Sequence, residues 1–154
     1  MKTEIMLGLY NNLNKDFSDN HQLEQIDLLK GILKINQDVV SCGLMKIHDH
    51  RDFLKGYPLL ERGLNLVMEG IDPEVIESIM INSALVNNID LLESLIIIEG
   101  VLSIQMMRTI ETYQLLLSYF SFGVQNIIEN QLNELKIKKS DVLRLEELNR
   151  LLKQ

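Results

Sequence analysis

The sequence predicts an all-α fold, a single-domain bundle of several helices with short loops, and three observations carry that expectation. Apolar residues recur at spacings of three and four along most of the chain, which places them on one face of a helix. No sustained apolar/polar alternation bounded by hairpin turns occurs, so strand signals are nearly absent. The breaks between apolar stretches carry helix punctuation, most plainly in RGLNLVMEGIDPEVIESIM (62–80). There Leu64, Val67 and Met68 close one stripe, and Gly70 takes the left-handed conformation that ends a helix without a Cβ clash. Asp72 offers its carboxylate to the free amides of the next turn, and Pro73 brings a preset φ to a position whose N–H would lack a partner. Gly70, Asp72 and Pro73 are therefore expected to form a structural turn.

The elements follow in order. Ile5, Leu9 and Leu13, flanked by Met6 and Tyr10, predict a first helix. Asp16, Ser18, Asp19 and Asn20 favour a loop, since their side chains bond their own backbone. From His21 to about Val40 the stripe of Leu23, Ile26, Leu29, Leu33 and Val40 predicts an amphipathic helix that Gly31 weakens modestly. SCGLMKIHDHRD (41–52) reads as a solvated linker, and the next helix starts at Pro58 because Tyr57, preceding a proline, avoids the helical region. A helix from Pro73 to about Val86 should end at Asn87–Asn88, with Asn88 also placed to cap its successor, which runs from Ile89 to about Gln105. Thr109 or Thr112 opens another helix whose apolar face is Leu115, Leu116, Tyr119 and Phe120, with Gly123 ending or kinking it. The remainder reads as two helices. The second begins near Ser140–Asp141, carries Leu145, Leu148 and Leu152, and makes 140–154 a peripheral C-terminal helix.

An internal helix-pair repeat is suggested by GLMKI (43–47) and GVLSI (100–104), followed by Gly70–VIE and Gly123–IIE, with spacings that differ by four residues. IDLL at 26–29 and 89–92 implies a different register.

At 154 residues the chain is long enough to bury a core without disulfides or metal, and one domain over 1–154 is expected. A hydrophobic share of 46% with 24% charged residues is that of a chain that folds. The single cysteine, Cys42, and the lack of a charged-then-apolar leader point to a reducing cytoplasm. A formal charge of −7 argues against nucleic acid and anionic lipid, whose affinity rests on lysine and arginine. The richest apolar stretch (89–107) is interrupted by Asp90, Glu93 and Glu99, so it predicts a buried core helix and no membrane insertion.

Candidate chemistry is sparse. HDHRD (48–52) with Cys42 nearby invites a metal reading, because imidazole, thiolate and carboxylate are transition-metal ligands. On a helix, however, His48 and His50 point to different faces, and no second ligand cluster is evident. Cys42 lacks a local catalytic signature. Glu74 and Glu77 follow a helix start, where negative charge complements the dipole without any catalytic role. GxGxxG, phosphate-loop and GxSxG motifs do not occur, so an enzyme is the minority expectation and no cofactor is assigned. Tyr113, Tyr119, Phe120 and Phe122 concentrate aromatic surface; at helical spacing such residues build core, and any that are exposed would anchor a protein partner.

FLKGYPLLERGLNLVMEGIDPEVIESIM (53–80) resembles the cytoplasmic segment of MotA-type flagellar stator proteins, which reads as an apolar helix, a glycine, a D-P-E turn and a second apolar helix. SCGLMKI (41–47) resembles the glycine and apolar run that precede it in that family. The resemblance implies a protein of a motility or membrane-associated assembly. It does not extend to ion conduction, since the transmembrane helices that carry the ion path have no counterpart. At the positions matching the family's rotor-facing arginine and glutamate stand Val40 and His48, so no rotor contacts are assigned. The expected function is a non-catalytic helical protein–protein interaction module. The alternative is a small metal- or ligand-binding protein or enzyme using the Cys42, His48 and His50 region. Self-association through the C-terminal leucine stripe would make a homo-oligomer.

Overall fold

A computed structural model of the chain describes residues 16–134 and 150–152. Among them there is no strand, and the all-α expectation holds. The elements are α1 (Asp19–Glu24), α2 (Ile26–Cys42), a 3₁₀ helix (Leu44–His50), α3 (Arg51–Leu54), α4 (Pro58–Met68), α5 (Pro73–Val86), α6 (Leu91–Gln105), α7 (Ile110–Leu117) and α8 (Phe122–Glu134). No helix of the described residues is long and apolar enough to cross a membrane.

α6 is the central element. Leu91, Leu92 and every residue from Ser94 to Ile104 are buried, Glu99 included. A helix apolar on nearly every side has little to offer water, so it is covered almost all round, with Glu93 left half-buried. α2, α4, α5 and α7 pack around it. Two glycines let neighbours come close. A Cβ on Gly63 of α4 would meet Val101 of α6 at 2.8 Å and Met80 of α5 at 2.6 Å, and one on Gly100 of α6 would meet Ile32 of α2 at 2.7 Å. α4, α5 and α6 run back and forth through short turns, so this antiparallel unit has two ends roughly 20 Å apart.

Several expectations need correction. The helix expected from His21 starts at Asp19, where the Ser18 hydroxyl accepts from the His21 amide, and it breaks at Gln25 before resuming as α2. Gly31 is no weak point: the Phe53 ring occupies the space its Cβ would fill. The segment read as a solvated linker is ordered as the 3₁₀ helix and α3, because Ile47 and Leu54 are buried there. Asp72 occupies the N-cap position of α5, but its side chain makes no capping bond; its backbone carbonyl accepts from Val75 and Ile76 instead. The cap of α6 is Asp90 rather than Asn88, its carboxylate accepting from the Leu92 and Glu93 amides.

Gly123 neither ends nor kinks the aromatic helix, since α7 closes at Leu117 and Gly123 lies in the first turn of α8. The glycine echo fails as a repeat in that register. Gly43 terminates α2 with a φ of 92°, while its supposed counterpart Gly100 is interior to α6. The helix expected around Ile5–Leu13 lies outside the described residues, as do Ser140, Asp141, Leu145 and Leu148 of the expected C-terminal helix. Leu152 of that stripe is helical and exposed.

Candidate interaction surface

Three consecutive helices end in the same way. After α4 the Gly70 amide bonds the Val67 carbonyl and the Ile71 amide reaches Leu66. After α5 the Asn88 amide bonds Leu85 and Ile89 reaches Ala84; after α6 the Met107 amide bonds Ile104 and Arg108 reaches Ser103. This double bonding pattern needs a left-handed residue at its centre. The three residues there have φ of 76°, 50° and 52°. Glycine adopts that conformation freely and asparagine tolerates it, whereas methionine gains nothing locally that offsets its Cβ contact with the backbone. Asn88 and Met107 are the two non-glycine residues with positive φ among the described residues.

The Gly70 and Met107 turns lie side by side. Gln105, in the last turn of α6, donates its side-chain amide to the Ile71 carbonyl at 2.8 Å and ties the two loops together. Around this link stand Val75, Met106 and Met107, each close to half exposed, beside the partly buried Ile71. Glu69, Asp72 and Glu74 are exposed at the margin and make no ion pair among the described residues. The result is an apolar end face, rich in a flexible and polarizable side chain, with an acidic edge. Nothing in the sequence pattern beyond the pair Met106–Met107 after an apolar helix signals it.

The aromatic candidates divide. Tyr113 and Phe120 are buried and Tyr119 half-buried, with burial and then the nearby Glu99 holding the Tyr119 phenol far above its usual pKa. These are core. Phe122, 86% exposed at the start of α8, is the free aromatic of the group. The turn before it is pinned to α1: the Ser121 amide donates to Gln22 Oε1 at 2.7 Å and its hydroxyl to Asp19 Oδ1 at 3.2 Å. Phe122 therefore projects from a braced corner.

The Cys42, His48 and His50 region does not converge. Cys42 and His48 are exposed, while His50 turns inward and donates Nε2–H to Asp38 Oδ2 at 2.8 Å, fastening the 3₁₀ helix to α2. Among the described residues no group of three or more His, Cys, Asp or Glu side chains is placed to hold a metal ion.

A second polar centre went unrecognised in the sequence. His21 Nε2 lies 2.8 Å from Asp90 Oδ2, so the carboxylate that caps α6 also pairs with α1. Burial lowers the imidazole pKa, but Asp90, with Glu24 and Asp16, more than reverses this and the net value lies above the ordinary 6.5. Glu93, one turn into α6, has its pKa raised, first by burial and then by Asp90, with His21 opposing. No protein-family profile, curated protein or solved structure matches the chain.

Proposed function

We propose that this chain is a non-catalytic helical interaction module that docks a protein partner on the end face formed by the Gly70 and Met107 turns. The observation that carries the reading is Met107. A left-handed methionine costs on the order of 1–2 kcal/mol relative to glycine, and strain of this kind persists where it serves something other than stability. Here it holds a polarizable side chain beside a second exposed methionine, Met106, on a face where Ile71 and Val75 extend the apolar surface. The acidic margin of Glu69, Asp72 and Glu74 favours a partner segment with apolar anchors flanked by lysine or arginine.

Ile71 and Val75 belong to the stretch that resembles the MotA-type cytoplasmic segment, which supports a partner in a motility or other membrane-associated assembly. The lone exposed thiol of Cys42 suits a place in the cytoplasm. The test is affinity purification of the tagged chain from its native cell in mild detergent, run in parallel with a Met106→Ser, Met107→Ser variant. Stator, rotor or related membrane-complex proteins should be enriched by the wild type and lost in the variant. Equal recovery by both would remove the end face as the docking surface, and enrichment of neither class would remove the motility reading.

A further inference from the structure

At the opposite end of the α4–α5–α6 unit lies a groove of about 510 Å³, between the first turn of α4, the last turn of α5 and the first turn of α6. We propose that this groove binds a small zwitterionic ligand with an apolar body, of the chemistry of a free-ended apolar dipeptide, its ammonium seated on Glu93 and its carboxylate on Arg62.

The walls supply each part of that match. Pro58, Leu59 and Ile89 give apolar surface. Arg62 on α4 and Glu93 on α6 face the same space from different helices, yet they form no ion pair with each other or with any other described residue. Two opposite charges that line one groove without pairing are complementary to a ligand that carries both charges at separate ends. Glu93 is the stronger anchor because it is half-buried, and its carboxyl makes no side-chain hydrogen bond among the described residues. A half-buried carboxylate left without a partner carries part of its desolvation cost uncompensated, and an incoming ammonium offsets it.

The surrounding charges point the same way. Asp90 next to Glu93 is already engaged by His21 from α1, and the Tyr57 phenol is held above its usual pKa by burial, then by Glu93 and Asp27. The α6 side of the groove is thus electronegative and the α4 side carries Arg62. Asn87 donates its amide nitrogen to the Ser83 carbonyl at 2.7 Å, which leaves its Oδ1 and the Ser83 hydroxyl for the ligand's peptide group. The volume falls within the roughly 300–1,000 Å³ of small-molecule sites.

The test is calorimetric titration of the full chain with leucyl-leucine, N-acetyl-leucyl-leucine and leucyl-leucinamide, repeated on Glu93→Gln and Arg62→Gln. Leucyl-leucine should bind saturably, and blocking either end should weaken it at least tenfold. Glu93→Gln should weaken leucyl-leucine by a similar factor and make N-acetylation of no further consequence; Arg62→Gln should do the same for the amide. Melting curves check that both variants fold, and Glu93→Gln should melt no lower than wild type because it removes a half-buried charge. Absence of saturable leucyl-leucine binding at millimolar concentration overturns the proposal. So does equal binding of the three compounds, or a response to one blocked end alone.

Discussion

The two ends of the α4–α5–α6 unit are closed by the same backbone device and differ in what they expose. At one end Gly70 and Met107 sit in left-handed turns held together by Gln105, and the exposed side chains are apolar. At the other, Asn88 makes the equivalent turn, and around it gather the His21–Asp90 pair, Glu93 and Arg62. Gly70 and Asn88 are residues that a left-handed turn selects for stability. Met107 is not, and its turn also lacks the apolar contact across the helix end that Ile71–Leu66 and Ile89–Ala84 make available, having Arg108 and Ser103 in those places. The difference teaches that stability alone accounts for two of the three turns.

Substitutions at the turns sharpen this contrast, and the largest effect is expected on binding. Met107→Gly should weaken capture of the partner at least tenfold while leaving the fold intact. Substituting Gly70 with methionine should cost about 1–2 kcal/mol, measured by urea denaturation, because the helix end is kept while the backbone is strained. That would lower the melting temperature by roughly 2–8 °C for a chain of this size. The same Met107→Gly change should raise stability by about 1 kcal/mol, opposite in sign to its effect on binding. A variant that is both less stable and binding-deficient would mean that Met107 is a packing residue, and the contrast between the turns would collapse. Asn88→Gly should gain only a few tenths of a kcal/mol, since asparagine already tolerates the conformation.

Most of the fold was legible because its signals are local. Pro58, Pro73 and Asn87–Asn88 mark helix boundaries within a residue or two, and the high apolar content of 91–104, broken only by Glu93, Glu99 and small residues, announces a covered helix. The misreadings share a cause. Gly31 and Gly100 look like a weak point and punctuation in one dimension, and their use as notches for Phe53 and Ile32 exists only once the helices are assembled. Asp72 and Asp90 both precede helices in sequence, but only Asp90 turns its carboxylate to the free amides. The end face was illegible for a related reason: Val75 and Met107 are 32 positions apart, and the Gln105–Ile71 bond that joins their turns has no sequence signature.

The smallest effect separates the two ends by their response to pH. The end face carries no histidine, while the other end holds His21 and Glu93, both with folded pKa values above the ordinary 6.5 and 4.5. A raised value means that the folded state binds its proton more tightly than the unfolded chain. The His21 contribution is therefore complete below about pH 6.5 and is lost as pH rises through the folded value. The Glu93 contribution is complete below about pH 4.5 and is lost in the same direction. Urea midpoints should accordingly fall as pH rises from 6.5 to 8, and His21→Gln should flatten that slope while Glu93→Gln leaves it in place. Partner capture by the end face should hold constant over the same interval, because no histidine lies there; a parallel loss of capture would show that the two ends are coupled through α6.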